Sequence, residues 1–305
     1  MSLMKRTLLA LIPCLFLITS CRSEGDPVDP APTPASVAVE VIAHRGASAE
    51  APENTLAAFR RAIALKADWF ELDCTLSADG AIVVIHDDTI KRTAKGKPKG
   101  EVRELSLAEL KALDVGSWKD EKFADERIPT LAEALDVARG EIGVYVEVKH
   151  RDDAKKLRQR VLEAAPGERL GILERNECVD LPLAKAVVAE VRPRVAKGER
   201  IVVQSFSAII CAYVRLAAPE LTVELLTGDV PWKESLRWLV ALDFAGLNPS
   251  RKKVTAAQVA EVRALGKDVS VWTVNTPKTM LKLRKWGVRR LISDVPDLCL
   301  ETLGR

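Results

Sequence analysis

Two carboxylates interrupt an apolar, strand-like run in Trp69-Phe70-Glu71-Leu72-Asp73-Cys74. On a strand, alternate residues share a face, so Glu71 and Asp73 point the same way with Cα atoms about 7 Å apart. Such a pair resists burial unless a proton or cation lies between the two charges, and its oxygen ligands suit a hard divalent cation. A solvated strand face could carry the same pair with no metal. A second run, Val144-Tyr145-Val146-Glu147-Val148-Lys149, places three valines on one face and Tyr145, Glu147 and Lys149 on the other. If that second face looks into a barrel, Glu147 becomes a third oxygen ligand and Lys149 stands one strand repeat further on to meet a phosphate. The alternative is an internal Glu147–Lys149 ion pair. The chain has 3 histidines. His44 and His86 each close an apolar run, and two imidazoles at one rim beside a carboxylate cluster point to general acid–base chemistry. His150, between Lys149 and Arg151, reads as a solvated loop residue.

These groups need a scaffold that brings strand ends together. From about residue 37 onward, short β-branched runs alternate with helical stretches, the pattern of a parallel sheet covered by helices, and the length suits one barrel of roughly 250 residues. Strand-like runs fall near 39–44, 69–74, 81–86, 143–149, 201–205, 222–226, 243–247, 269–274 and 289–293, one more than eight staves require. Helical periodicity is clearest at 55–66, 130–138, 207–217, 255–265 and 277–286, with further outer helices across 157–200. Asp79-Gly80 is a hairpin-type turn signal that would set His86 beside Leu72 and Asp73. The charged, glycine-containing stretch of about 88–129 reads as an insertion over the barrel mouth, with one short helix near 106–113. The expected architecture is a TIM-type (β/α)8 barrel with a small insertion over its mouth.

His44-Arg45-Gly46, Pro52-Glu53-Asn54-Thr55, Glu71-x-Asp73, His86-Asp87, Glu147-x-Lys149, Ser205-Phe206, Trp272-Thr273-Val274-Asn275 and Asp294-x-Pro296 follow one another in an order that resembles the glycerophosphodiester phosphodiesterase family. The resemblance runs from about residue 41 to 298. It includes Arg92-Thr93, Gly116-Ser117-Trp118 and Ile128-Pro129-Thr130-Leu131 where that family carries its insertion. It implies that Glu71, Asp73 and Glu147 hold one divalent cation, Ca2+ or Mg2+, that His44 and His86 are the acid–base pair, and that Arg45 and Lys149 bind phosphate oxygens. Trp272 would be a wall for the alcohol moiety or core packing, and Asn54 a substrate contact or a helix N-cap. Arg289-Arg290 departs from the family's small or acidic residues and leaves the local packing there unexplained. The implied reaction is hydrolysis of a glycerophosphodiester to glycerol 3-phosphate and an alcohol. A lysophospholipase D-type reaction on the same fold is the alternative. A non-catalytic ligand-binding lipoprotein is disfavoured, because every histidine and carboxylate is present.

The N-terminus carries Lys5 and Arg6, an apolar run from Thr7 to Ile18, and Cys21 after small residues. That is a secretory signal pattern, and its apolar run is short of the roughly 20 residues of a membrane-spanning helix. Ile18-Thr19-Ser20-Cys21 resembles the lipobox of bacterial lipoproteins. The expected organisation is a signal peptide over 1–20, a lipidated Cys21 with a proline-rich tether over 21–38, and the barrel over 39–305. The protein would then be exported and membrane-anchored, facing the periplasm or cell exterior. Cys74, Cys178, Cys211 and Cys299 could pair in that oxidising setting, but their spacing shows no metal motif and no disulfide is expected. A net charge of +3, with acids and bases interspersed, does not suggest a nucleic-acid surface.

Overall fold

A computed structural model describes residues 38–305 except 97–98, 152–153, 177 and 229. The expected signal peptide, Cys21 and nearly all of the tether lie outside the described residues. Nine strands follow in order: β1 (Glu40–Ala43), β2 (Trp69–Leu76), β3 (Ile82–Val84), β4 (Gly143–Val148), β5 (Ile201–Ser205), β6 (Thr222–Thr227), β7 (Gly246–Pro249), β8 (Asp268–Val271) and β9 (Arg290–Ser293). Eight of them are parallel, and the pairing of β9 with β1 and of β1 with β2 closes the barrel. The surplus run is β3. It pairs antiparallel with the far end of β2, Cys74 opposite Val84, through a turn in which Gly80 takes φ 82°. The Ile85 N–H donates to the Asp73 carbonyl, so the ladder continues one step and delivers His86 to the rim beside Leu72.

The helices are α1 (Leu56–Ala64), α2 (Leu107–Ala112), α3 (Leu131–Ala138), α4 (Lys155–Glu163), α5 (Arg169–Glu174), α6 (Leu181–Val195), α7 (Ala208–Ala217), α8 (Trp232–Ala241), α9 (Ala256–Ala264), α10 (Pro277–Lys285) and α11 (Pro296–Leu303). Five of these eleven start where a side chain caps the first turn: Thr55, Ser106, Thr130, Ser207 and Thr255 each accept from a backbone N–H one turn on.

The strand period of two sorts the side chains. Val144, Val146 and Val148 pack outward in the main core against the helices, with Phe70, Leu72 and Cys74 beside them. Tyr145 and Trp69 face the barrel interior with Ile42, Val202 and Ile292. Glu71, Asp73 and Glu147 share that inward parity. At the N-terminal end of the interior, Arg290 donates to Glu40 (2.7 Å), Glu224 (3.1 Å) and Asp268 (3.1 Å) and lies over the Trp69 and Tyr145 rings. Arg289 donates to the Ala38 carbonyl and to Glu40. The two arginines that looked out of place are therefore the counter-charges of an acidic barrel floor.

The described residues of 88–129 gather around a small core of their own, in which Ile90, Val102, Leu110, Val115 and Ile128 pack on Val83 and Ile85 of the β3 arm, and they reach the β1–α1 loop through Lys119 on the Ser48 carbonyl and Arg92 on Glu53. Cys74, Cys211 and Cys299 are buried free thiols.

Candidate active site

The β1–α1 loop makes the first wall of the site. Arg45 and Asn54 both adopt φ 57°, a left-handed conformation that costs a side-chain-bearing residue energy and persists only when its surroundings enforce it. The enforcement is visible. The Arg45 N–H donates to Glu71 Oε2 (2.9 Å), and Asn54 grips Asp73 twice, giving its Nδ2 to Oδ2 (2.9 Å) and taking the Asp73 N–H on its Oδ1 (3.2 Å). Gly46 follows at φ 76°, and a Cβ there would lie 2.6 Å from Ala58. Asn54 is thus not the N-cap expected of it. The N-cap of α1 is Thr55, and the Asn54 amide is spent on a carboxylate rather than offered to the open cavity.

Glu71, Asp73 and Glu147 are buried with ligand oxygens all within 4.8 Å of one another. Lys149 reaches Glu147 (3.0 Å) and Asp73 (3.3 Å). Burial, and then the charges of Asp73 and Glu147, push the Glu71 carboxyl well above its ordinary range. Burial and Asp73 also raise Glu147 against the pull of Lys149. Burial alone would raise Asp73 too, but Lys149 and Arg45 outweigh it and hold that carboxyl well below normal. One buried oxygen, Glu71 Oε1, has no hydrogen-bond partner. Three inward carboxylates, one of them raised by burial and by its like-charged neighbours and presenting an oxygen with no partner, fit a hard divalent cation.

Each rim histidine is fixed through Nδ1 by a carboxylate. His44 meets Asp294 Oδ1 at 2.5 Å, and Asp294 is itself held by Asn275 (2.6 Å). His86 meets Asp87 Oδ1 at 2.7 Å. Burial would raise both aspartates, but hydrogen bonds from His44 lower Asp294, and those from Arg92 and His86 bring Asp87 to about 2. Ionised carboxylates only accept, so Nδ1 carries the proton in both rings and each Nε2 is left free to take or give one.

The two imidazoles, Arg45, Glu71 and Glu147 open on one cavity of about 270 Å³ at the C-terminal mouth of the barrel. Its other side is apolar, with Leu226, Ile292 and a right-angled pair of Phe206 and Trp272 whose ring centres are 5.4 Å apart. Trp272 does line the cavity, and its indole N–H is anchored on the Asn248 carbonyl (2.8 Å). Arg45 Nε is buried without a hydrogen-bond partner, although it lies 3.4 Å from Asp73. His150 is half-buried rather than fully solvated, with its ring 6.3 Å from that of Phe206. The sequence reading gave no role to Asp87, Asp294, Glu53 or Phe206. All four stand inside the motifs that carry the family resemblance, Pro52-Glu53-Asn54-Thr55, His86-Asp87, Ser205-Phe206 and Asp294-x-Pro296, and that was the signal that could have found them.

Residues 44–298 match the model of the glycerophosphoryl diester phosphodiesterase family. The chain belongs to that family. It is 35% identical over 269 residues to the glycerophosphodiester phosphodiesterase of Caldanaerobacter subterraneus subsp. tengcongensis, covering 87% of this chain and 98% of that protein. A Bacillus subtilis glycerophosphodiester phosphodiesterase is 29% identical, with 93% and 91% covered. Among solved structures, an Oleispira antarctica phosphodiesterase in complex with the product sn-glycerol-3-phosphate superposes with a TM-score of 0.69 at 30% identity, covering 87% of this chain and 97% of that one. With this membership and coverage the chain is a phosphoric diester hydrolase on a TIM barrel.

Proposed function

We propose that the protein hydrolyses glycerophosphodiesters to glycerol 3-phosphate and an alcohol, with His44 and His86 as acid and base and one Ca2+ or Mg2+ held by Glu71, Asp73 and Glu147. The observation that carries this reading is the meeting, in one cavity, of two imidazoles with free Nε2 atoms and a buried three-carboxylate cluster. A divalent cation bound there supplies positive charge opposite the phosphoryl oxygens. Arg45, which lines the cavity, and Lys149 add to that field and orient the diester. One imidazole takes the proton of the attacking hydroxyl as its oxygen bonds to phosphorus. The other gives a proton to the departing alkoxide, so the alcohol leaves neutral. Asp294 and Asp87 keep both rings in the required tautomer. Asn54 acts through Asp73, and the Phe206–Trp272 wall receives the carbon skeleton.

A cavity of about 270 Å³ lies at the small end of ligand sites and favours a short diester over one with an enclosed acyl chain. The test is turnover of glycerophosphocholine, glycerophosphoethanolamine and lysophosphatidylcholine with added Mg2+ or Ca2+. Release of glycerol 3-phosphate from the first two is expected, and exclusive turnover of the third would reassign the enzyme to the lysophospholipase D type. Acylation at Cys21, export and membrane attachment belong to the same proposal, supported by the lipobox-like Ile18-Thr19-Ser20-Cys21 and the tether after it.

A further inference from the structure

Arg92 belongs to the insertion and touches neither the carboxylate cluster nor the cavity wall, yet four of its N–H groups are committed to two site residues. Its Nε and Nη2 donate to Asp87 Oδ2 (2.6 Å) and Oδ1 (3.0 Å), and its Nη1 and Nη2 donate to Glu53 Oε2 (2.7 Å) and Oε1 (2.8 Å). Each acceptor has a second duty on the same oxygen. Asp87 Oδ1 also holds His86 Nδ1, and Glu53 Oε1 also takes the Arg45 Nη1 hydrogen bond (2.8 Å). The result is an unbroken chain, His86–Asp87–Arg92–Glu53–Arg45, in which one planar guanidinium fixes the spacing between an imidazole and a phosphate-binding guanidinium.

We infer that Arg92 is a positioning residue that sets the distance and angle between His86 and Arg45, so that the insertion takes part in assembling the reacting geometry and does not merely cover it. Exposed ion pairs are ordinarily worth little, but two bidentate pairs sharing one cation form a network, the exception to that rule. A lysine cannot replace it, because a single ammonium lacks the flat fork that spans two carboxylates. Arg92 is also partly exposed, with 44% of its side chain in solvent, so its removal opens no core cavity.

The inference rests on the proposed roles of His86 and Arg45, and the experiment separates the two. Kinetics of Arg92→Ala and Arg92→Lys are measured beside His86→Ala and Arg45→Ala, with thermal melts of each. Misplacement of this kind costs on the order of 10–100-fold. Arg92→Ala should lose that much in kcat/KM, chiefly in kcat, with a melting temperature near that of the parent. Arg92→Lys should fall with it, while added guanidinium ion should restore part of the rate of Arg92→Ala. Full activity in Arg92→Lys, or an Arg92→Ala protein that is less stable but turns over at the parent rate, would make Arg92 a simple tether and overturn the inference. Parent-like activity in His86→Ala or Arg45→Ala would overturn the underlying reading as well. Losses in those two alone would sink only the role of Arg92.

Discussion

Glu71 bears the strongest conflict between what its fold demands and what its charge prefers. Its carboxyl is raised well above normal by burial and by Asp73 and Glu147, so the metal-free fold favours the protonated form. The sign of the linkage follows. A raised folded-state value means that stability is lost as pH climbs from the unfolded value through the folded one, and a bound cation reverses the loss by favouring the anion. Glu71→Gln copies the shape of the protonated form and can still accept the Arg45 N–H. It should therefore melt higher than the metal-free parent at pH 7–8. It should melt lower than the parent once Mg2+ or Ca2+ is added, because only the parent gains from binding. On the proposed assignment, His44→Ala and His86→Ala remove no ligand. They should bind cation normally and lose on the order of 10²–10⁴ in kcat, with no rescue by extra cation. Calorimetric titration of all three variants decides. If Glu71→Gln keeps its metal while a histidine variant loses it, ligands and acid–base groups have been assigned the wrong way round.

Strands and capped helices were legible in the sequence because their signals are local. Val144, Val146 and Val148 alternate with Tyr145 and Glu147 inside β4, and Thr55, Thr130, Ser207 and Thr255 stand at helix starts. Where the local signal was weak, the reading slipped. α8 begins after Pro231 and α11 after Val295, neither with a capping side chain, and both were missed. The sixth stave, β7, starts later than the run expected at 243–247, because Asp243 turns the chain at φ 52° and the strand begins only at Gly246. At the site, the carboxylates and imidazoles could be picked out by residue type, whereas their partners could not. Asp294 lies 250 positions from the histidine it holds, and Arg92 reaches Glu53 across 39. The insertion shows what such distant contacts do at the level of an element. Its core is separate from that of the barrel, and Leu110 is fully buried within it. Leu110→Ala removes packing worth about 2–5 kcal/mol. Because that core is its own, the loss should appear as faster hydrogen exchange across 88–129 while the barrel strands stay protected. The ranking of glycerophosphodiester substrates should shift at the same time. Uniform loss of protection with unchanged selectivity would show that the insertion is a structural continuation of the barrel with no say in substrate choice.

Across the whole molecule, the barrel interior is layered by charge, with an ionic floor at the N-terminal end and the carboxylate cluster at the mouth. Cys21→Ser should leave turnover intact and move the protein from the membrane fraction to the soluble one, and a parent protein that is already soluble and carries no acyl mass would dismiss the anchor. The floor makes a sharper demand on stability. Glu224 is buried, and burial raises its carboxyl even though Arg290 pulls the other way. Its oxygens are met by Arg290 (3.1 Å), Tyr145 (3.2 Å) and Ser270 (3.3 Å). Arg290→Met keeps much of the volume over Trp69 and Tyr145 but strands the Glu224 charge, a change that costs about 3–5 kcal/mol when one member of a buried pair is lost. Without Arg290 the folded-state value of Glu224 rises further, so the deficit should widen as pH rises above the ordinary glutamate range. Denaturant melts should accordingly show a larger loss at pH 8 than at pH 5. Adding Glu224→Gln to Arg290→Met should recover part of it at pH 8, since the neutral amide no longer needs a counter-charge. A deficit equal at both pH values, with no recovery in the double variant, would mean that Arg290 serves the floor through packing on the two rings and not through its charge.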